Sequence, residues 1–127
     1  MTTWAKGIDC TTLFIEDLDR TKEFYARAFG AEAHYEDSTS VVYMLGSSMI
    51  NLITMDSAED LISPVTVAPS DEAAQFQFTI AFDDVYAMCV ELAQRRVTLL
   101  NGLMDRPWGI RTVSFAVPDS HIFEVAQ

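Results

Sequence analysis

Thr12-Leu13-Phe14-Ile15-Glu16-Asp17 and Thr79-Ile80-Ala81-Phe82-Asp83-Asp84 are two readings of one phrase, separated by 84 − 17 = 67 residues. The match continues past each aspartate. Leu18, Thr21, Lys22 and Tyr25 take the same helical phase as Val85, Met88, Cys89 and Leu92. A repeat about half the length of the chain means one supersecondary unit used twice. Two such units put equivalent side chains in paired positions around a shared cavity, and function is to be sought in those pairs.

Each copy opens on a strand. Residues 8–16 and 75–83 alternate: Phe76, Phe78, Ile80 and Phe82 fall on one face, and Gln77, Thr79 and Ala81 on the other. In the first copy Thr11, Leu13 and Ile15 match the apolar face, while Cys10, Thr12 and Phe14 match the mixed one. Such a period of two suits a strand covered on one side. The apolar face should lie under helices and the mixed face should look into a cavity. Asp17 and Asp84 are candidate N-caps, because a short acceptor side chain satisfies the free amides of a helix start. The first helix should run to about Phe29 and stop at Gly30. The second should reach Arg95 or Arg96, with no glycine to stop it.

Further strands are expected at 31–36, 40–45 and 48–54, divided by Asp37-Ser38-Thr39 and Gly46-Ser47-Ser48. The second half repeats this at 97–100, 111–117 and 121–126, with turns at Asn101-Gly102 and Pro118-Asp119-Ser120. Both halves therefore read β-α-β-β-β, an α+β chain. One domain over 1–127 is expected, with modules at about 8–55 and 75–127 and a linker at 56–74. That linker holds Pro64 and Pro69, and Asp56-Ser57-Ala58-Glu59-Asp60 could cap a short helical turn.

Composition narrows the classes of function. Of the 127 residues 50% are hydrophobic and 21% charged, an ordinary globular balance. No apolar run approaches the roughly 20 residues that span a bilayer. Residues 1–6 lack the basic start and apolar stretch of a signal peptide, so a cytoplasmic location is expected. Nineteen acids against eight bases leave a net charge of −11. That disfavours nucleic acid and anionic membrane as partners and would suit a cationic ligand. The two cysteines, Cys10 and Cys89, should lie on opposite sides of the first sheet layer, unbridged.

Leu13-Phe14-Ile15-Glu16-Asp17-Leu18, Phe24-Tyr25, Asp105-Arg106-Pro107-Trp108-Gly109-Ile110-Arg111 and Pro118-Asp119-Ser120-His121-Ile122-Phe123-Glu124 together resemble the vicinal oxygen chelate superfamily. That group includes glyoxalase I, the bleomycin-resistance proteins and the extradiol dioxygenases. The resemblance implies two βαβββ modules whose sheets curl into a cup-shaped, partly open barrel with helices outside, and it implies a homodimer. It also implies four inward ligand positions, a His or Gln from each first strand and a Glu from each last. Here those positions are filled by Cys10, Gln77, Asn51 and Glu124.

This set suits a metal poorly. Zinc, nickel, iron and manganese favour imidazole and carboxylate donors, whereas two carboxamides offer neutral oxygens. Only Glu124 is a hard anionic donor, so no metal cofactor is expected, with a divalent ion as the alternative. His34 and His121 read as structural. Asn51 and Gln77 can still donate and accept hydrogen bonds. Glu124 could accept a proton, and Arg111 is expected as its partner. Trp108 is expected at the pocket rim, offering a flat ring face and an N–H. Tyr43, Met49 and Phe115 are core residues by default. The resemblance thus implies a metal-free small-molecule-binding protein of the bleomycin-resistance kind. The alternative is a metal-dependent or Glu124-based lyase or isomerase of the glyoxalase type.

Overall fold

The structure is a computed structural model that describes residues 4, 7–69, 74 and 77–127. Phe76 of the expected apolar strand face, and most of the N-terminal stretch read above, lie outside the described residues. The first module runs β1 (Cys10–Ile15), α1 (Leu18–Phe29), β2 (Ala33–Glu36), β3 (Ser40–Leu45) and β4 (Ser48–Thr54). Then α2 (Met55–Ile62) opens the connection. The second module runs β5 (Gln77–Ala81), α3 (Val85–Gln94), β6 (Leu99–Asp105), β7 (Arg111–Val117) and β8 (His121–Ala126), with a 3-10 turn at Pro118–Ser120.

The two modules build the same sheet. Strand orders are β1-β4-β3-β2 and β5-β8-β7-β6. In each, the first strand lies parallel to the last, and the remaining pairs are antiparallel. Both sheets are open, and α2 packs against β1 and β4 of the first.

The repeated aspartates are the N-caps of the repeated helices. Asp17 Oδ1 accepts from the Arg20 amide at 3.1 Å, and Asp84 Oδ1 from the Ala87 amide at 3.0 Å. The C-termini differ. Gly30 ends α1 at φ +63°, where a glycine meets no steric penalty. After α3 the same left-handed turn is made by Arg96 at φ +61°, a side chain where the backbone prefers none.

One expectation is corrected here. Asn101-Gly102 is no turn but the middle of β6, which is longer than the expected 97–100. The β6–β7 register slips on both sides of Asn101, and a glycine within a strand commonly marks such a bulge. The short helical turn expected at Asp56–Asp60 falls within α2, where Ala58 is fully buried. Cys10 and Cys89 are free thiols, as expected.

One core serves both sheets, and α1 is its centre. Tyr25 stacks on Tyr43 of β3, ring centroids 5.4 Å apart, and meets Phe123 of β8 edge-on at 6.2 Å. Phe29 touches Phe115 of β7 and Phe123 at 5.7 and 5.0 Å. Leu13, Ile15, Val41, Leu52, Val113 and Val125 complete this core from the apolar strand faces. The helix ends lock together reciprocally: Arg27 donates to the Arg96 carbonyl beyond α3, and Arg95 donates to the Ala28 carbonyl near the end of α1. Cationic side chains suit those unpaired terminal carbonyls. Because both sheets turn their apolar faces to this core, their mixed faces look away from it on opposite sides.

Candidate functional site

The mixed face of the first sheet is set by strand parity. Leu13 and Ile15 point into the core, so Cys10, Thr12 and Phe14 point out. On β4, Ile50 and Leu52 point in, so Met49 and Asn51 point out. Cys10 stands opposite Met49, and Thr12 opposite Asn51. Asn51 Nδ2 donates to Thr12 Oγ1 at 3.4 Å. Its carbonyl Oδ1 is buried and accepts no hydrogen bond among the described residues.

The second sheet repeats the construction. Phe123 and Val125 point into the core, which turns Glu124 outward. Gln77 stands opposite Ile122, and Thr79 opposite Glu124. Thr79 Oγ1 donates to Glu124 Oε1 at 3.1 Å. Ser114 of β7 faces Glu124 from the other side and is buried. Thr12 and Thr79 are equivalent in the repeat, since 79 − 12 = 67. Each supports the polar residue on the neighbouring last strand. Both threonines stand in the repeated phrase on the mixed strand faces. Their partners become visible only once the parallel register is known.

The four expected ligand positions are therefore paired, but as two pairs on two sheets. Cys10 lies two residues along β1 from the Thr12–Asn51 pair, and Gln77 two residues along β5 from the Thr79–Glu124 pair. Within one chain the shared core separates the pairs. Three or more His, Cys, Asp or Glu side chains able to hold a metal are gathered nowhere among the described residues. A thiol, two carboxamides and one carboxylate do not fit zinc, nickel, iron or manganese. Two cavities lie elsewhere. One of about 590 Å³ runs between α1 and the Pro118–Ser120 turn past Arg20, Phe24, Arg27 and Asp119. An apolar one of about 180 Å³ lies among Phe29, Ile80, Met88 and Leu92.

Arg111 is not the partner of Glu124. Its neighbours Thr112 and Ser114 share the face of Glu124, so Arg111 itself projects to the other side of β7. There it binds Asp105, with Nε to Oδ1 at 2.7 Å and Nη2 to Oδ2 at 3.3 Å. This two-pronged pair holds the Asp105 carboxyl below its ordinary range.

Arg106 stands on the face expected for Arg111. Its Nε donates to Oγ1 of the fully buried Thr112 at 2.9 Å, and its guanidinium lies 6.0 Å from the Trp108 ring centroid. Trp108 is 68% exposed at the tip of the β6–β7 hairpin. Nothing in the sequence marked Arg106, because a hairpin tip has no periodicity to assign its side chains to a face.

The histidines stay apart from both pairs. His121 lies on the core-side parity of β8, opposite in face to Glu124, and burial lowers its pKa against the pull of Asp119 and a Pro118 backbone hydrogen bond. His34 is exposed on the edge strand β2. Among the described residues no helix is long and apolar enough to cross a membrane.

Comparison with known proteins places this architecture. The family model described as a glyoxalase-like domain matches residues 8–127. A glyoxalase/bleomycin resistance protein/dioxygenase from Nocardioides superposes with a TM-score of 0.89 at 16% identity, over 98% of this chain and 85% of that one. A glyoxalase-related enzyme from Fulvimarina pelagi superposes with a TM-score of 0.81 at 19% identity, over 96% and 88% of the two chains. The lactoylglutathione lyase from Agrobacterium tumefaciens gives a TM-score of 0.76 at 20% identity, over 96% and 93%. At these identities the likeness is one of fold. No curated protein sequence matches the chain.

Proposed function

The chain belongs to the glyoxalase-like domain family, and from that membership we propose that it is a metal-free small-molecule-binding protein of the bleomycin-resistance kind. The observation that carries the proposal is the pairing of polar side chains on the mixed faces of the two sheets. Asn51 with Thr12 and Cys10 forms one half-site, and Glu124 with Thr79 and Gln77 forms the other. Surface sheet faces with no role need no such alignment. The buried, unmatched carbonyl of Asn51 asks for a donor that the described residues do not supply.

The two half-sites look away from each other, so a chamber needs a second copy. In a two-fold dimer the first sheet of one copy would face the second sheet of its partner, giving two equivalent chambers. Each would hold Cys10 and Asn51 from one chain and Gln77 and Glu124 from the other, with Trp108 at the rim. A concave, largely apolar surface with a few converging polar groups is the usual form of a small-molecule site.

Two measurements test this reading. Elemental analysis of protein purified without chelators should find well under one equivalent of zinc, nickel, iron or manganese. A near-stoichiometric metal would overturn the metal-free assignment. A thermal-shift comparison with benzylamine, benzamide and 4-hydroxybenzoate should find at least one stabilising compound, and Asn51→Leu and Glu124→Leu should each abolish its effect. If no compound stabilises the protein, or if both variants respond like the wild type, the binding reading fails.

One observation favours a second reading. Thr79 is the only hydrogen-bond partner of the Glu124 carboxylate among the described residues, which leaves acceptor capacity toward the open face. A carboxylate so placed could take a proton from a bound substrate, as a lyase or isomerase requires. Such an enzyme would lose turnover in Glu124→Gln while keeping its fold.

A further inference from the structure

We propose that Arg106, held beside Trp108 at the rim of the second sheet's open face, binds the carboxylate of a small aromatic ligand. This rests on the reading that the open face is the ligand face, and it replaces the cationic ligand suggested by net charge.

The argument begins with ion pairing. In a chain with 19 acids and 8 bases, a cation should find a carboxylate easily. Those described cations that are partly sheltered do so: Lys22 with Glu36, Arg27 with Glu23, Arg95 with Glu91 and Arg111 with Asp105. Arg20 and Arg96 are exposed to solvent. Arg106 alone among the described residues is half-buried and without a carboxylate. Asp105, its neighbour in sequence, is turned to the opposite side of the sheet and taken by Arg111.

The guanidinium is also held in place. Thr112 fixes Nε, and the indole of Trp108 flanks the charged plane. That leaves the terminal nitrogens as donors in a fixed fork, the geometry that grips an oxyanion through two parallel hydrogen bonds. A residue serving only to tie down Thr112 would not need a charge.

The surroundings define the rest of the ligand. Thr112, which anchors Arg106, sits two residues along β7 from Ser114, the neighbour of Glu124. Two strand residues span about 7 Å. A ligand held at Arg106 by its carboxylate could thus donate a hydroxyl to Glu124 from its far end. A para-substituted benzoate has that reach. The exposed side of the Trp108 ring offers its aromatic body a stacking surface.

Isothermal titration with 4-hydroxybenzoate, benzylamine and inorganic phosphate tests the assignment on the full chain. 4-Hydroxybenzoate should bind more tightly than benzylamine. Arg106→Gln should weaken it at least tenfold, and Arg106→Lys should restore only part of the loss, since an ammonium lacks the fork. Trp108→Ala, at an exposed position, should weaken it several-fold without changing the thermal midpoint, which keeps the test valid if Arg106→Gln fails to fold. Three outcomes overturn the proposal: benzylamine binding more tightly, 4-hydroxybenzoate affinity unchanged in Arg106→Gln, or phosphate binding with equal affinity and equal dependence on Arg106. If benzylamine or benzamide binds and Glu124→Leu abolishes that binding, the small-molecule reading survives and only the anion assignment falls. If nothing binds, both fall.

Discussion

Tyr25 concentrates the tensions of this core. It is fully buried and packed on three aromatic rings, yet its hydroxyl has no hydrogen-bond partner among the described residues. A buried unsatisfied donor costs roughly 1–3 kcal/mol, so Tyr25→Phe should raise stability, by about 1 kcal/mol, in urea denaturation. Tyr25→Ala should cost about 3–5 kcal/mol through the cavity it leaves. Burial raises the Tyr25 pKa, so the native state keeps its proton longer than the unfolded chain. Stability should therefore fall as pH rises above about 10, where the unfolded tyrosine ionises first. Tyr25→Phe should flatten that fall relative to the wild type. Asp37 acts at the other end of the scale. Its carboxylate accepts from the Thr39 and Ser40 amides, both their hydroxyls and the Tyr35 phenol, and its pKa drops to about 2. The stability it contributes is complete above its ordinary pKa of about 4 and is lost as pH falls through about 2. A carboxyl chemical-shift titration should find the low midpoint, and Asp37→Asn should remove that part of the acid dependence. The turn at Asp37 could be read from sequence, but the number of donors converging on one oxygen could not.

At the scale of elements, the repeat has a physical basis that substitution can measure. Asp17→Ala and Asp84→Ala each remove an N-cap and should cost about 1 kcal/mol apiece in chemical denaturation. Arg96→Gly should stabilise by about 0.5–1 kcal/mol, because glycine accepts the left-handed backbone that arginine resists. A loss on that substitution would mean the Arg96 side chain has a role that the structure does not show. The alternation of Leu13 and Ile15 against Thr12, and of Ile80 against Thr79, was enough to read both first strands and their faces. The capping aspartates and Gly30 located the helices. β6 escaped because Asn101-Gly102 carries a turn signature inside a bulged strand. The partner of Arg111 was misread for a related reason. Adjacency to the strand of Glu124 was legible, but the face is decided by register across the β7–β8 ladder, which no local pattern encodes. The candidate site residues were legible as positions in a repeat. The supporting role of the threonines and that of Arg106 were not, since these depend on neighbours distant in sequence.

At the scale of the whole molecule, the charge of −11 describes the surface and not the rim of the second sheet, where Arg106 stands without a carboxylate partner among the described residues. Placing α1 against the apolar faces of both sheets binds the two modules into one core and sends their mixed faces outward. Under the proposed function the protein should sediment as a dimer at micromolar concentration. A monomer that still binds ligand would contradict the shared chamber. The outward geometry also has a genetic reading. Damage to the first half-site in one strain and to the second half-site in another should complement when both chains are made together. Equal co-expression of Asn51→Leu and Glu124→Leu chains should leave about a quarter of the chambers assembled from two undamaged halves, rescuing function that neither variant has alone.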